Sequence, residues 1–255
     1  MGLDSPPAFP VRVKAFLLLE QGGLRRGDII LSRSRTLSSW LIRKTMGGYF
    51  SHAALVFFVP QPDEKLANAF VLESTSSGVG LANLQSYVAR KSRTDIAVVR
   101  LEGGDFDENY FKRVRGLMLD HVKSGYDYSR VFKLGLSFLF GLRLGWSRLR
   151  KGQKDSMQEA VRSTKRRRVK WVPPQFICSG FIQYGFVEAL AHEGKHPALA
   201  LFNDQIQVNN KDAILAVTPE DIATSSKLTW KFAIRRGFVH QVGDYANARK
   251  IISGD

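Results

Sequence analysis

Residues 51–75 read SHAALVFFVPQPDEKLANAFVLEST. Two runs rich in aliphatic, β-branched and aromatic side chains, 51–59 and 68–75, flank the link PQPDEKLA at 60–67. Two such runs around a Pro-containing polar link predict an antiparallel hairpin. With its turn centred near residue 62, positions whose numbers add to about 125 oppose one another, and His52 and Glu73 form such a pair. Opposed residues project from one face of a strand pair with Cβ atoms roughly 5 Å apart. Taken singly, a histidine at a strand edge and an acid at a strand end are ordinary surface features. Together on one face, the carboxylate can hold the imidazole in one tautomer, as a catalytic base requires.

Working outward, RRGDIILSRS (25–34) reads as a turn at Gly27-Asp28 entering a strand. TLSSWLIRKTMGG (36–48) reads as a helix capped by Thr36 or Ser38 and closed by Gly47. NLQSYVARK fits a short helix and DIAVVRL a buried strand. Between Asp107 and Lys123, Tyr110, Phe111, Val114, Leu117, Met118, His121 and Val122 recur at helical spacing. A second helical pattern covers 178–191, Thr218-Pro219 starts a short helical turn, and KLTWKFAI is the last strand candidate. The mixture predicts an α+β fold with a central antiparallel sheet, without regular βαβ alternation.

Cys178 is the single cysteine and follows Pro173-Pro174 in WVPPQFICSGFIQYGF. Free cysteines are usually inert core residues. The first turn of a helix, however, lowers a thiol pKa through its free amides and dipole. Of the other histidines, His121 falls on the apolar side of its helix, His192 and His196 at a helix end and loop, and His240 near the tail. HEGKH (192–196) matches a zinc-binding HExxH by letter count alone, since Gly194 and Pro197 disfavour the helix it needs. No metal-ligand spacing or phosphate-binding glycine loop is present, so no cofactor is implied.

A chain of 255 residues with 44% hydrophobic residues can bury a large core. One cysteine excludes an intramolecular disulfide, and the N-terminal apolar block AFLLL is too short for a signal-peptide core. Pro6 also stands where a myristoylation signal wants Ser or Thr. These features favour a cytoplasmic location. The net charge is +15, and residues 148–170 hold ten Lys or Arg against Asp155 and Glu159, a net of +8. That run predicts either a solvated loop or a polybasic patch for an anionic membrane surface. It lacks the interleaved aromatics of a nucleic-acid binder, which ranks nucleic acid last among partners. The apolar stretch preceding it, at about 131–147, is broken by Lys133 and Arg143, too often for a transmembrane span. An interfacial helix leading into the basic run would suit a peripheral membrane protein.

The order RGDIILSRS, YFSHAALVF, VLESTSSGVGL, GYDYSRVF, FICSGFI, VTPEDIATS resembles the circularly permuted NlpC/P60 group of papain-like cysteine hydrolases, of the YiiX/YaeF type. The likeness spans roughly residues 25–230, and histidine and acid precede cysteine, as in the permuted group. It implies a single papain-like domain over 1–255, with a core at about 25–235 and an insertion at about 129–170. It also implies a nucleophile at a helix N-terminus, with Cys178 as nucleophile, His52 as general base and acid, and Glu73 as the group orienting His52. Tyr126 matches the family's upstream tyrosine loosely and becomes the oxyanion-hole candidate, with the Cys178 backbone amide. Ile177 departs from the Asp many members carry there. The implied chemistry is thiolate attack on an amide or ester carbonyl through a thioester, by a peptidase, amidase, lipid acyl hydrolase or acyltransferase. Peptide, amide or lipid substrates are then open, as is the oligomeric state. The competing expectation is a non-catalytic lipid- or membrane-binding protein that keeps the cavity.

Overall fold

The structure, a computed structural model, describes residues 9–17, 23–60, 69–88, 94–122 and 177–254. The expected apolar helix and basic run at 129–170, together with Tyr126, lie outside the described residues.

Among the described residues, eight antiparallel strands form one sheet. In chain order they are β1 (Val11–Arg12), β2 (Ile29–Ser34), β3 (His52–Phe58), β4 (Phe70–Thr75), β5 (Gly78–Asn83), β6 (Thr94–Leu101), β7 (Leu228–Arg235) and β8 (Phe238–Gln241). Their order across the sheet is β1-β8-β7-β6-β2-β3-β4-β5. Eight described helices accompany them: α1 (Val13–Phe16), α2 (Leu37–Met46), α3 (Leu84–Val88), α4 (Glu108–Leu119), α5 (Cys178–His192), α6 (Lys211–Leu215), α7 (Pro219–Ala223) and α8 (Tyr245–Ser253).

Side-chain alternation divides the core between the two faces of the sheet. Ile29, Leu31, Ala53, Leu55, Leu72, Ala97 and Val99 face a layer formed by Tyr110, Val114 and Met118 of α4, Phe181, Ile182 and Phe186 of α5, and Ile252 of α8. Ile30, Ala54, Val56, Val71, Ile96 and Val98 face the opposite way, onto Phe16, Leu84 and Val88. Burial on both faces explains the consecutive apolar residues at Ile29–Leu31 in β2 and Ile96–Val99 in β6. Each fully buried Phe or Ile contributes about 1.5–3 kcal/mol.

Local chemistry sets the helix ends as the sequence implies. Thr36 caps α2 by accepting from the Ser39 backbone N–H, and Gly47 ends it at φ 66°, a left-handed conformation that glycine adopts cheaply. Asp107 caps α4 by accepting from Tyr110 N–H. Thr218 and Asp221 form a reciprocal capping box on α7, with Pro219 at its first position. Beside these, Asp28 and Arg100 make a buried bidentate pair at 2.6 and 2.8 Å that ties the start of β2 to β6.

Two expectations need correction. The β3–β4 register pairs Leu55 with Leu72 and Val56 with Val71, two places from the predicted alignment, with a bulge before Phe58. Glu73 is therefore the diagonal neighbour of His52, not its direct opposite. A shift of two preserves the face, whereas a shift of one would have reversed it. Residues 227–234 are also not the last strand. The turn at Arg236-Gly237 leads into β8, and α8 follows.

Candidate active site

Cys178 is the first residue of α5, and Ile177 before it, with backbone in the extended region, makes no side-chain cap. A Ser, Asp or Asn there would occupy the first-turn amides; isoleucine leaves them available. The helix is fixed by buried polar contacts. Ser179 Oγ donates to Val217 O at 2.5 Å, and Gln183 both donates to Ala200 O at 2.6 Å and accepts from Phe202 N–H at 2.8 Å. Gly180 admits the Leu215 carbonyl so closely that a Cβ would lie 2.0 Å from its oxygen. Phe181, Ile182 and Phe186 pin the helix to the sheet.

His52, the first residue of β3, pairs with Ser32 of β2. Its Nε2 lies 2.6 Å from Glu73 Oε2, and both side chains are largely buried. With Nε2 committed to the carboxylate, Nδ1 remains for Cys178, whose sulfur is hydrogen-bonded to the ring and to the backbone N–H groups of Ala53 and Ser179. The start of β3 thus supplies both the imidazole and one amide donor to the thiol, while α5 supplies the other.

The electrostatics follow from these contacts. Burial pushes the His52 imidazole toward its neutral form. The sulfur on one side and the Glu73 carboxylate on the other outweigh it, raising the pKa from 6.5 to about 10. Burial likewise pushes the Cys178 thiol up, but the imidazolium and the two amides hold it below its ordinary 9.0. Glu73 is pushed up by burial and held below the usual carboxylate range by His52 and Tyr87. These directions favour a thiolate beside an imidazolium, with an ionised Glu73 behind the ring.

Tyr87 of α3, which the sequence pattern places in a short helix without a role, donates its hydroxyl to the same Glu73 Oε2. Its ring lies nearly parallel to that of His52, at 13° with centroids 6.3 Å apart. Burial and the adjacent carboxylate raise its pKa, so it stays a neutral donor. The available signal was the apolar face of α3, which buries Leu84 and Val88 and points Tyr87 toward the end of β4.

The remaining histidines stand apart. His121 Nε2 lies 3.3 Å from Tyr184 OH, and burial lowers its pKa. His196 Nδ1 accepts from Ala198 N–H at a helical turn, and His192 closes α5 just before Gly194 at φ 69°. Among the described residues, no group of three His, Cys, Asp or Glu side chains is placed to hold a metal ion.

Residues 23–134 match a family model described as "Permuted papain-like amidase enzyme, YaeF/YiiX, C92 family". The matched span is less than half of the chain and ends before Cys178, while including His52, Glu73 and Tyr126. It supports a permuted papain-like relationship, under a family label somewhat different from NlpC/P60, and a hydrolase-type activity. Among solved structures, the chain is similar to the metalloprotein yiiX of Escherichia coli O157:H7, at 16% identity and a TM-score of 0.46, over 81% of this chain and 95% of that one. No curated protein matches the chain. The mixed α/β architecture with its large antiparallel sheet is consistent with a permuted papain-like fold.

Proposed function

We propose that the chain is a cysteine-dependent acyl hydrolase or acyltransferase acting on an amide or ester bond. The observation that carries this is a buried histidine held between an ionised carboxylate at 2.6 Å and a helix-terminal cysteine sulfur. In this scheme the Cys178 thiolate adds to the substrate carbonyl, forming a C–S bond as the carbonyl π electrons move to oxygen. The Cys178 backbone N–H and Tyr126 stabilise that oxyanion. Collapse breaks the bond to the leaving amine or alcohol, which takes the proton from His52 Nδ1, and leaves a thioester. The neutral ring then accepts a proton from water, or from an acceptor alcohol or amine, which attacks the thioester and releases the thiolate. Glu73 stays ionised throughout, and Tyr87 keeps its oxygen aimed at Nε2.

The substrate class in this proposal is lipid-like or membrane-associated, because the sequence places an apolar stretch and a +8 run directly before the nucleophile. The protein would then work peripherally at an anionic membrane surface. Profiling with a panel of acyl probes, with Cys178→Ala as control, tests the chemistry. At least one ester or amide probe is expected to label the wild-type protein and to leave Cys178→Ala unlabelled. Equal labelling of the two proteins by every probe refutes the chemistry. Deletion of 148–170 tests the membrane part, and undiminished sedimentation with phosphatidylglycerol vesicles would refute a role for that run.

A further inference from the structure

Helix α2 is inverted relative to an ordinary surface helix. Its buried positions include Ser39 and Thr45, and its outward stripe at i, i+3, i+4 is Leu37, Trp40 and Leu41, exposed by 80%, 48% and 52%. A globular protein normally arranges these the other way round. The polar side is committed inward. Ser39 Oγ lies 2.6 Å from Ser51 Oγ, and Arg43 Nη1 donates to Ser34 O at 2.8 Å and Ser39 Oγ at 2.7 Å. These bonds fix the rotation of the helix, so the apolar stripe stays on the outside. Contiguous exposed apolar side chains of this kind mark a binding surface.

Charge identifies the occupant. From Arg33 to Tyr49 the chain carries Arg33, Arg35, Arg43 and Lys44 and no acid. Lys44 continues the apolar stripe one turn on, with Nζ 5.3 Å from the centre of the Trp40 ring. A second copy of this chain, at +15, is repelled by such a surface. So is the chain's own segment 123–176, which holds fourteen Lys or Arg against three acids. The surface needs a partner that is apolar and anionic together. A Trp and two Leu flanked by Arg and Lys match the boundary of an anionic bilayer, where indole rings sit at headgroup depth and each nearby cation contributes about 1 kcal/mol.

We propose that the Leu37–Trp40–Leu41 face of α2 docks on anionic lipid bilayers. This rests on neither the cysteine chemistry nor the basic run at 148–170. Through the Ser39–Ser51 hydrogen bond, the docked helix would be fixed one residue from His52, bringing that end of β3 to the lipid surface.

A site-specific probe tests this in the full chain. Cys178→Ala removes the native thiol, and Leu41→Cys or, as control, the exposed Lys211→Cys then carries an environment-sensitive fluorophore. Far-UV circular dichroism confirms that each variant is folded. Vesicles of three parts phosphatidylglycerol to seven parts phosphatidylcholine are expected to blue-shift and brighten the probe at 41. Pure phosphatidylcholine should not, the probe at 211 should stay unchanged, and high salt should reverse the shift. No shift at 41, or an equal shift at both positions, overturns the proposal. A probe at 41 already blue-shifted without vesicles also overturns it: the stripe is then covered by a second copy if the shift grows with protein concentration, and by the chain itself if it does not. The readout is local to α2, and the catalytic cysteine is absent throughout. The result is therefore independent of the acyl-probe experiment.

Discussion

The proposed thiolate–imidazolium pair makes a two-sided prediction about pH. In the unfolded chain His52 titrates near 6.5 and Cys178 near 9.0; folded, the first rises to about 10 and the second falls. The rise at His52 favours the imidazolium by on the order of 5 kcal/mol. Over the part of pH 6.5–9.0 in which the folded thiol is ionised, the unfolded pair binds one proton, on sulfur, and the folded pair also binds one, on the ring. Stability then has no slope from this pair. Below 6.5 the unfolded chain takes up a second proton; where the folded pair still holds its thiolate it refuses that proton, and stability falls with acid at about 1.4 kcal/mol per pH unit until the thiolate protonates. Above 9.0 the unfolded pair has lost both protons while the folded imidazolium persists. Stability then falls as pH rises, until the ring deprotonates near 10.

Two measurements check this. Alkylation of Cys178 by iodoacetamide across pH reports the thiolate fraction. Its midpoint is the quantity to read, because thiolate nucleophilicity itself falls with pKa and blurs absolute rates. The wild-type midpoint should lie below the ordinary 9.0. In His52→Ala, burial loses its opposing charge and the midpoint should move above that value. Urea unfolding at several pH values, wild type against Cys178→Ser, should show an acid limb that the serine protein lacks. A wild-type midpoint near 9, or one that His52→Ala leaves in place, would refute the ion pair and with it the proposed nucleophile.

Other perturbations separate the parts of the site. Glu73→Gln removes the charge that helps raise His52, so in urea unfolding the alkaline fall in stability, which ends near pH 10 in the wild type, should end at a lower pH. Tyr87→Phe deletes one hydrogen bond to an ionised carboxylate that keeps its bond to His52; a stability loss of about 1.5–3 kcal/mol with an unchanged alkylation midpoint is expected in urea unfolding. Gly180→Ala should cost about 1–3 kcal/mol or more and exceed Gly185→Ala, because the first meets the Leu215 backbone and the second the flexible Met118 side chain. Arg100→Met leaves Asp28 buried without its partner, and about 3–5 kcal/mol of stability should be lost on denaturation.

Strands and helix ends were legible because their signals are local. The runs at 29–31, 53–58 and 96–99 are apolar as both faces of the sheet are covered, and Thr36, Asp107 and Thr218 cap their helices through their own side chains. The C-terminal β8 and α8 were missed because only β1, β7 and the sheet face give them partners. Phe238-Val239-His240-Gln241 is too short and mixed to declare itself, and α8 buries only Ala248 and Ile252.

The site itself shows why a wrong register can still give the right neighbours. The face of a strand residue has a period of two, so the alignment of β3 with β4 could slip by two places and leave His52 and Glu73 on one face. Once on one face, a diagonal pair of long side chains still meets, and the 2.6 Å contact is that diagonal. Cys178 reaches them by a different route. The face relation of β3 and β4 says nothing about α5, which packs through Phe181, Ile182 and Phe186 against the layer containing Ala53 and Leu55, opposite in parity to His52. The thiol meets the imidazole only because His52 is the first residue of its strand and Cys178 the first of its helix, and the Ala53 amide donates to the sulfur at that junction. Each end-of-element position was readable from the sequence. That the two ends coincide depends on how α5 is seated, and Gly180 bears on this by admitting the Leu215 carbonyl beside the first turn of the helix. Moving that contact should therefore separate Cys178 from His52 while leaving the His52–Glu73 bond in place. Gly180→Ala, besides its stability cost, is expected to raise the alkylation midpoint of Cys178 toward 9.0. An unshifted midpoint in a folded Gly180→Ala protein would show that some other contact sets the position of the thiol.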